Sequence, residues 1–152
     1  MSQPAAKDTG RNMLNSTMAV IEIQAIFGDV YLRNLPFAET VSALLRLGVN
    51  RYHVDFTAAS VSTYLSDPAK SDGPRVYRIE IPSHEIEFNA RWNQQGVEQA
   101  IGRVQSGAVK TYLEFARQCV DAGVAGYHAC LRGKRVVYYG HNGDIHVEEF
   151  PQ

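Results

Sequence analysis

The chain has 152 residues, of which 45% are hydrophobic and 20% are charged, and its 15 Lys and Arg against 16 Asp and Glu give a formal net charge of -1. This length and composition suit one soluble domain with a buried core. The balanced charge argues against a protein that coats nucleic acid, because such binding needs a clustered basic surface. No apolar run approaches the roughly 20 residues of a membrane span.

The polar start MSQPAAKDTGRN has no apolar segment of the kind found in signal peptides. Residues 1–12 are predicted to be disordered. Cys119 and Cys130 lack the C-x-x-C spacing of a redox or zinc motif, and reduced thiols are expected. We therefore expect a cytoplasmic protein with neither a nucleic-acid nor a membrane partner.

Two copies of one pattern account for most of the sequence. Residues 37–64 align with residues 112–139 at an offset of 75 positions, without a gap. The identical positions include Gly48/Gly123, Tyr52/Tyr127, His53/His128 and Tyr64/Tyr139. The prediction is a single α+β domain, 13–152, made of two repeats that span about 13–82 and 88–152.

Each repeat begins with two amphipathic helices. Apolar residues at helical spacing mark one face of each helix. The four sets are Met18, Ile21, Ala25 and Ile26; Phe37, Val41, Leu44 and Leu45; Val97, Ala100, Ile101 and Val104; and Tyr112, Ala116, Cys119 and Val120. Gly48 and Gly123 follow the second helix of each repeat, where a left-handed residue commonly ends a helix.

After each of these glycines the apolar period changes to two, which indicates strands. In the second repeat, two-residue turns at Gly133-Lys134 and Asn142-Gly143 are predicted to separate three strands. The third strands are 76–81 and 145–150, and the first of them follows the loop SDPAKSDGP. The predicted fold is an internal duplication of an α-α-β-β-β unit, with antiparallel meander sheets and the helices packed on one face.

This register predicts rows of polar and aromatic side chains on the sheet face opposite the helices. Counting from the turns gives one row of His128, Tyr139 and His146, beside Cys130, Val137 and Glu148. The first repeat gives a row of His53, Tyr64 and Tyr77, beside Asp55, Ser62 and Ile79. The candidate catalytic residues are His128, Tyr139, His146, His53 and Tyr64, and the candidate binding residues are Cys130, Glu148, Asp55 and Tyr77.

Three interpretations of these rows stay open. The His–Tyr pairs suit ordinary cross-strand contacts or an interface, where aromatic residues are favoured. A His beside a Tyr or Glu also suits general acid–base chemistry. A metal site would join His128 and His146 to Cys130, Glu148 or His141, but ligands two strands apart would have to converge across Tyr139. No metal and no cofactor is predicted, since the sequence has no phosphate loop, nucleophile motif or H-E-x-x-H helix.

The segment from Gly126 to Phe150 follows the pattern G-Y-x-x-x-L-x-G-[KR]-R-V-x-Y-x-G-x-x-G-x-x-H-V-E-x-F. With GVNRYHVDF and STYL in the first repeat, it resembles the YbcV-like family of small bacterial and prophage-encoded proteins, often labelled "phage envelope protein". The resemblance covers nearly all of the chain beyond residue 15. It implies a domain of unknown function, with no activity or catalytic residue to carry over.

The leading functional hypothesis is a non-enzymatic cytoplasmic binding or regulatory domain, with a small molecule or a protein as its partner. It is expected to form a homodimer, because a sheet face is left uncovered and edge strands need protection. The alternative is a small hydrolase or isomerase that uses His128 or His53 with Tyr139 or Tyr64, with or without a metal.

Overall fold

The computed structural model describes residues 5–65, 75–87 and 90–151, with side chains from Met18 onward. These residues form four helices and six strands. In chain order they are α1 (Ala5–Arg33), α2 (Phe37–Arg46), β1 (Val49–Asp55), β2 (Ser60–Leu65), β3 (Arg75–Glu80), α3 (Gln94–Ser106), α4 (Tyr112–Asp121), β4 (Val124–Cys130), β5 (Arg135–Gly140) and β6 (Ile145–Glu149). The predicted α+β class and the element order are confirmed.

The strands form one antiparallel sheet in the order β3-β2-β1-β4-β5-β6. The first three strands join the last three through β1 and β4, where His53 lies directly opposite His128. The helices pack on one face, where Phe27 of α1 contacts Tyr52 edge-on and both Tyr52 and Tyr127 are buried. The other face, which we call the open face, carries His53 and His128.

Capping residues and glycines at the helix ends account for several of the helix boundaries. Asn93 and Thr111 precede α3 and α4, and their side chains accept hydrogen bonds from backbone N–H groups of the first turn. Gly48 and Gly123 follow α2 and α4 with φ of 86° and 90°, the left-handed conformation expected of them. These two positions fix where the helices stop and β1 and β4 begin.

The predicted buried face of α1 is wrong. Met18 and Ile21 are 52% and 57% exposed, whereas Ile23, Phe27 and Val30 are buried. Both sets have helical spacing, but the second contains an aromatic ring, whose burial removes more apolar surface from water. The helices α3 and α4 keep most of their predicted faces, with Val104 40% exposed at a border. In α2 only Leu44 of the predicted face is buried, Val41 is half-buried, and Phe37 and Leu45 are about two-fifths exposed.

The hairpin between β4 and β5 differs from the predicted two-residue turn. A type I′ turn at Gly133-Lys134 needs positive φ at both positions, but of the two only Lys134 has it, at 55°. The loop is therefore longer, and His128 pairs with Val137 instead of Tyr139. This is a shift of two positions, so every side chain keeps its predicted face.

The hairpin between β5 and β6 is shifted by one position, which turns β6 over. Gly143 has φ of 89° and its N–H donates to the carbonyl oxygen of Gly140, but Asn142 does not adopt the positive φ that a type I′ turn needs. Tyr138, not Tyr139, therefore pairs with His146. His146 and Glu148 face the helices and leave the predicted rows, and Ile145 and Val147 point to the open face instead.

Some predictions fall on parts of the chain without a described structure. The loop SDPAKSDGP, residues 66–74, lies outside the described residues, as do two residues of the linker, 88 and 89. Of the predicted disordered segment, residues 1–4 also lie outside, and α1 takes in residues 5–12. Within the described ranges, no helix is long and apolar enough to cross a membrane.

Candidate functional site

The open face holds one compact cluster of titratable side chains at the junction of β1 and β4. The rings of His53 and His128 stack with their centroids 4.2 Å apart and their planes 15° from parallel. The Tyr139 hydroxyl lies 2.6 Å from Nε2 of His53. The structure thus brings three predicted candidates together, but Tyr139 bonds to His53 of β1 and not to His128, because its side chain reaches across β4.

A glycine makes that reach possible. Gly126 of β4 lies between Tyr139 of β5 and Asp55 of β1 in the sheet pairing. A Cβ at Gly126 would stand 2.4 Å from the Tyr139 hydroxyl oxygen and 2.3 Å from the carbonyl oxygen of Val54. Because these distances are far below van der Waals contact, only glycine lets the tyrosine lie over the strand and meet His53.

Arg51 of β1 lies 75 positions before Gly126 in the sequence. Its guanidinium lies over the Tyr64 ring, 3.7 Å from the centroid, and Arg51 and Tyr64 are directly opposite each other on β1 and β2. The sequence placed Tyr64 opposite His53, but Ser62 takes that place. Tyr64 therefore makes a cation–π contact and not the predicted histidine pair.

The other candidates divide between the two sheet faces. Asp55 and Cys130 lie on the open face, as predicted; Asp55 accepts a hydrogen bond from the backbone N–H of Ala58, and Cys130 is a half-buried free thiol. Tyr77 pairs with Thr63 and packs against the core, so its predicted place beside Tyr64 on the open face is wrong. A two-residue turn fixes the pairing of the strands that it joins, whereas the longer loop before β3, residues 66–74, leaves the pairing open. A shift of one position moves a side chain to the other face of the sheet.

A metal site finds no support in this arrangement. His128 and His146 lie on opposite faces, so these two predicted ligands do not converge. Among the described residues there is no group of three or more His, Cys, Asp or Glu that could hold a metal ion. His146 instead contacts the Gln94 side chain of α3, with 2.9 Å between Nδ1 and Nε2.

The second site is a cavity of about 540 Å³ between the helices and the sheet. We call it the tyrosine cavity because five tyrosines line it: Tyr31, Tyr52, Tyr112, Tyr127 and Tyr138. The exposed residues of its lining, among them Pro36, Lys110 and Pro151, mark a mouth at the α1–α2 corner, the α3–α4 corner and the segment after β6. There the Asn34 side chain accepts a hydrogen bond from the backbone N–H of Tyr112 and ties the two corners together.

The tyrosine hydroxyls give this otherwise apolar cavity a polar interior. The hydroxyls of Tyr112 and Tyr127 are hydrogen-bonded to each other. The Tyr31 hydroxyl is buried and forms no hydrogen bond of normal geometry with a described residue. Burial raises the pKa of Tyr31, and the nearby Tyr112 hydroxyl partly offsets this rise. Burial likewise raises the pKa of Tyr52, Tyr112 and Tyr127, so these phenols stay neutral at physiological pH.

One carboxylate completes the cavity wall. Glu148 accepts hydrogen bonds from the Tyr138 hydroxyl, at 3.3 Å, and from the Gln105 side chain. Burial raises the pKa of Glu148 above its ordinary value, and the bond from Tyr138 acts in the opposite direction. No cation pairs with Glu148 in the part of the chain that the structure describes. Lys110 also lines the cavity, but it is exposed at the mouth.

The sequence predictions did not find this cavity. A signal was present, since Tyr52, Tyr127 and Tyr138 alternate onto the helix face and Tyr112 was assigned to the buried face of its helix. Buried tyrosines need hydrogen-bond partners for their hydroxyls, so several of them facing inward indicate a polar cluster or a ligand. Glu148 could not have joined them, because the assumed turn placed it on the opposite face.

The model of the family DUF1398, described as a protein of unknown function, matches residues 24–149. The chain is a DUF1398 protein. No curated protein matches it. The matched span of this DUF1398 protein includes all six strands, the stacked histidines and Glu148, so the histidine cluster and most of the cavity lining belong to the family domain.

The stacked histidines of the DUF1398 protein should make its stability fall in acid. Burial lowers the pKa of His53, with Asp55 opposing and Arg51 adding to the effect; burial, His53 and Arg51 lower that of His128. The folded state thus binds protons less readily than the unfolded chain, whose histidines titrate near about 6.5. Stability that is present above this pH is lost as pH falls through the lowered values.

We expect the free energy of unfolding, measured in urea, to decrease between about pH 7.5 and about pH 5, and the double variant His53→Asn/His128→Asn to lose less over this interval. Equal losses in both proteins would show that the pair does not couple protonation to folding.

Proposed function

We propose that this DUF1398 protein is a non-enzymatic small-molecule-binding domain, and that its ligand occupies the tyrosine cavity. The observation that carries the proposal is a cavity of about 540 Å³ with a mainly apolar lining and a few convergent polar groups. Ligand pockets have volumes of roughly 300–1,000 Å³ and this same division between apolar walls and few polar anchors. Aromatic rings such as Phe27, Phe37 and Phe150 complete the apolar part of the wall.

The lining defines the general class of ligand. An apolar body would contact the rings and the valine side chains, and one polar group would meet the tyrosine hydroxyls or Glu148. A buried polar group that lacks a partner costs about 1–3 kcal/mol. The buried Tyr31 hydroxyl therefore favours a ligand with a hydrogen-bonding group over a plain hydrocarbon.

The alternative of a His/Tyr enzyme has one observation in its favour, the 2.6 Å contact between Tyr139 and His53. The electrostatics of the pair oppose it. Burial raises the pKa of Tyr139 to about 12 and lowers that of His53, so both groups move toward their neutral forms. Proton transfer is most efficient when the pKa lies near the working pH. We therefore assign Tyr139 and His53 a structural role that joins β5 to β1.

We also infer that the two units arose by internal duplication, and the backbone supports this. Positions 75 residues apart share positive φ at Gly48 and Gly123 and at Ala59 and Lys134. Two backbone hydrogen bonds, each 3.0 Å long, are equally related: Phe56 N–H to Ala125 oxygen and Leu131 N–H to Asn50 oxygen. The His53–His128 pair lies at the centre of this relation, as expected for a pseudo-twofold axis.

The duplication would place the tyrosine cavity between the two units. Its floor includes Tyr52 and Tyr127, which are 75 positions apart, and its mouth includes Phe37 and Tyr112, which have the same offset. A ligand there would contact equivalent elements of both repeats. The YbcV-like resemblance, the prophage association, the cytoplasmic location and the homodimer stay predictions.

Binding of a neutral apolar fluorophore, N-phenyl-1-naphthylamine, tests the proposed function. We expect saturable enhancement of its fluorescence with the DUF1398 protein, and a decrease in affinity of about tenfold when Val104→Trp narrows the cavity, the equivalent of about 1.4 kcal/mol. Val104 lines the cavity and is 40% exposed, so we expect the fold to accommodate the larger tryptophan side chain.

The matched control is Val147→Trp, at a valine that is 49% exposed on the open face. It should leave the affinity for the fluorophore unchanged. An equal effect of both substitutions, or no saturable binding to the unsubstituted protein, would overturn the assignment of the cavity.

A further inference from the structure

The charges that line the tyrosine cavity indicate the chemical class of its ligand, an inference that rests on the proposed function. Glu148 carries the carboxylate in the wall and is half-buried, with Tyr138 and Gln105 as its hydrogen-bond donors. Both donors are neutral. Lys110 is exposed at the mouth, where solvent screens its charge, whereas the field of a half-buried carboxylate is screened much less. The interior of the cavity is therefore electronegative.

Aromatic rings add to this preference. The lining contains, besides the five tyrosines, the rings of Phe27, Phe37, Phe115 and Phe150. A cation near the face of an aromatic ring is attracted by the negative potential of that face, and the attraction grows when water is excluded. The hydroxyl oxygens of neutral tyrosines also accept hydrogen bonds from an ammonium group. An anion would find neither benefit and would be repelled by Glu148.

We propose that the ligand of the tyrosine cavity is an organic cation, a primary amine on an aryl or alkyl body. The ammonium group pairs with Glu148 and donates to tyrosine hydroxyls, and the body fills the space between the phenylalanine and valine side chains. This arrangement places a positive charge beside Glu148, whose present hydrogen-bond donors are both neutral.

Three compounds with one apolar body separate the effect of charge from that of burial: 4-phenylbutylamine, 4-phenylbutanol and 4-phenylbutyrate, which are cationic, neutral and anionic at neutral pH. Isothermal titration calorimetry should give an affinity for the amine about tenfold higher than for the alcohol, which lies within the range of a desolvated cation–π and carboxylate contact. The carboxylate should bind more weakly than the alcohol.

Adjacent glutamates of β6 provide a matched pair of variants. Glu148→Gln should lower the affinity for the amine to about that for the alcohol, and saturable binding of N-phenyl-1-naphthylamine to the same variant shows that the cavity is intact. Glu149→Gln should change neither, because Glu149 points to the open face and lies 3.9 Å from Arg135.

The outcomes distinguish this inference from the proposed function. Equal affinities for the amine and the alcohol, or an amine preference that survives Glu148→Gln, would overturn the cation assignment while the binding function stands. Fluorophore binding without any binding of the amine would have the same meaning. If neither the fluorophore nor any of the three compounds binds, the cavity is no ligand site and both claims fail.

Discussion

Gly126→Ala should destabilise the protein by about 1–3 kcal/mol, the usual cost of overpacking, and lower its melting temperature by several degrees. The new Cβ would stand 2.3 Å from the carbonyl oxygen of Val54, so the backbone pairing of β1 and β4 must shift. The Tyr139 ring, which lies over Gly126, would also lose its place beside His53. Thermal unfolding followed by circular dichroism measures the effect.

The matched control is the same substitution at Gly28. This residue lies inside α1, and a Cβ there would meet nothing within 4 Å. Because alanine has the higher helix propensity, Gly28→Ala should raise the melting temperature, by an amount that corresponds to roughly 0.5–1 kcal/mol. If both variants change stability in the same direction, the close approach of Tyr139 and Val54 at Gly126 is not a constraint on the fold.

Tyr127→Phe should cost about 1–3 kcal/mol of stability, although it removes only one oxygen atom. The Tyr127 hydroxyl is the hydrogen-bond partner of the Tyr112 hydroxyl; Tyr127 is buried, and Tyr112 is partly buried against the same core. Without the Tyr127 hydroxyl, the Tyr112 hydroxyl is still removed from water but has lost this hydrogen bond. Chemical denaturation of the variant gives the free energy of unfolding directly.

A double-mutant cycle separates this bond from the general loss of a hydroxyl. Removing both partners with Tyr112→Phe/Tyr127→Phe leaves neither hydroxyl of this pair without its partner, so the double variant should be more stable than the sum of the two single effects predicts. Strict additivity would mean that Tyr112 and Tyr127 do not act as a pair.

Much of the fold followed from patterns that tertiary contacts do not override. Period-two alternation placed Tyr52 and Tyr127 beneath the helices and His53 and His128 on the open face, and the structure confirms all four positions. The helix-ending glycines were equally predictable, because few other residues adopt positive φ. The face of α1 was not, since two apolar sets competed and only the three-dimensional packing selects between them.

The candidate site was less predictable because it depends on loop conformation. Whether Asn142 adopts positive φ decides if β6 is shifted by one position, and the Asn-Gly dipeptide is compatible with both turns. That single dihedral moves His146 and Glu148 from the open face to the helix face. The contact of Tyr139 with His53 depends on Gly126, which has no side chain to block the Tyr139 ring. Counting residue pairs from the turn of one hairpin gives the neighbours on adjacent strands, but not a contact that crosses a strand.

Tyrosine ring resonances provide the most direct test that the cavity is the functional site. Tyrosines lie on both sides of the sheet, with Tyr64 and Tyr139 on the open face and five others around the cavity. In protein with isotope-labelled tyrosine rings, N-phenyl-1-naphthylamine should shift the resonances of the cavity tyrosines and leave those of Tyr64 and Tyr139 in place. Shifts confined to Tyr64 and Tyr139 would place the ligand on the open face and contradict the account.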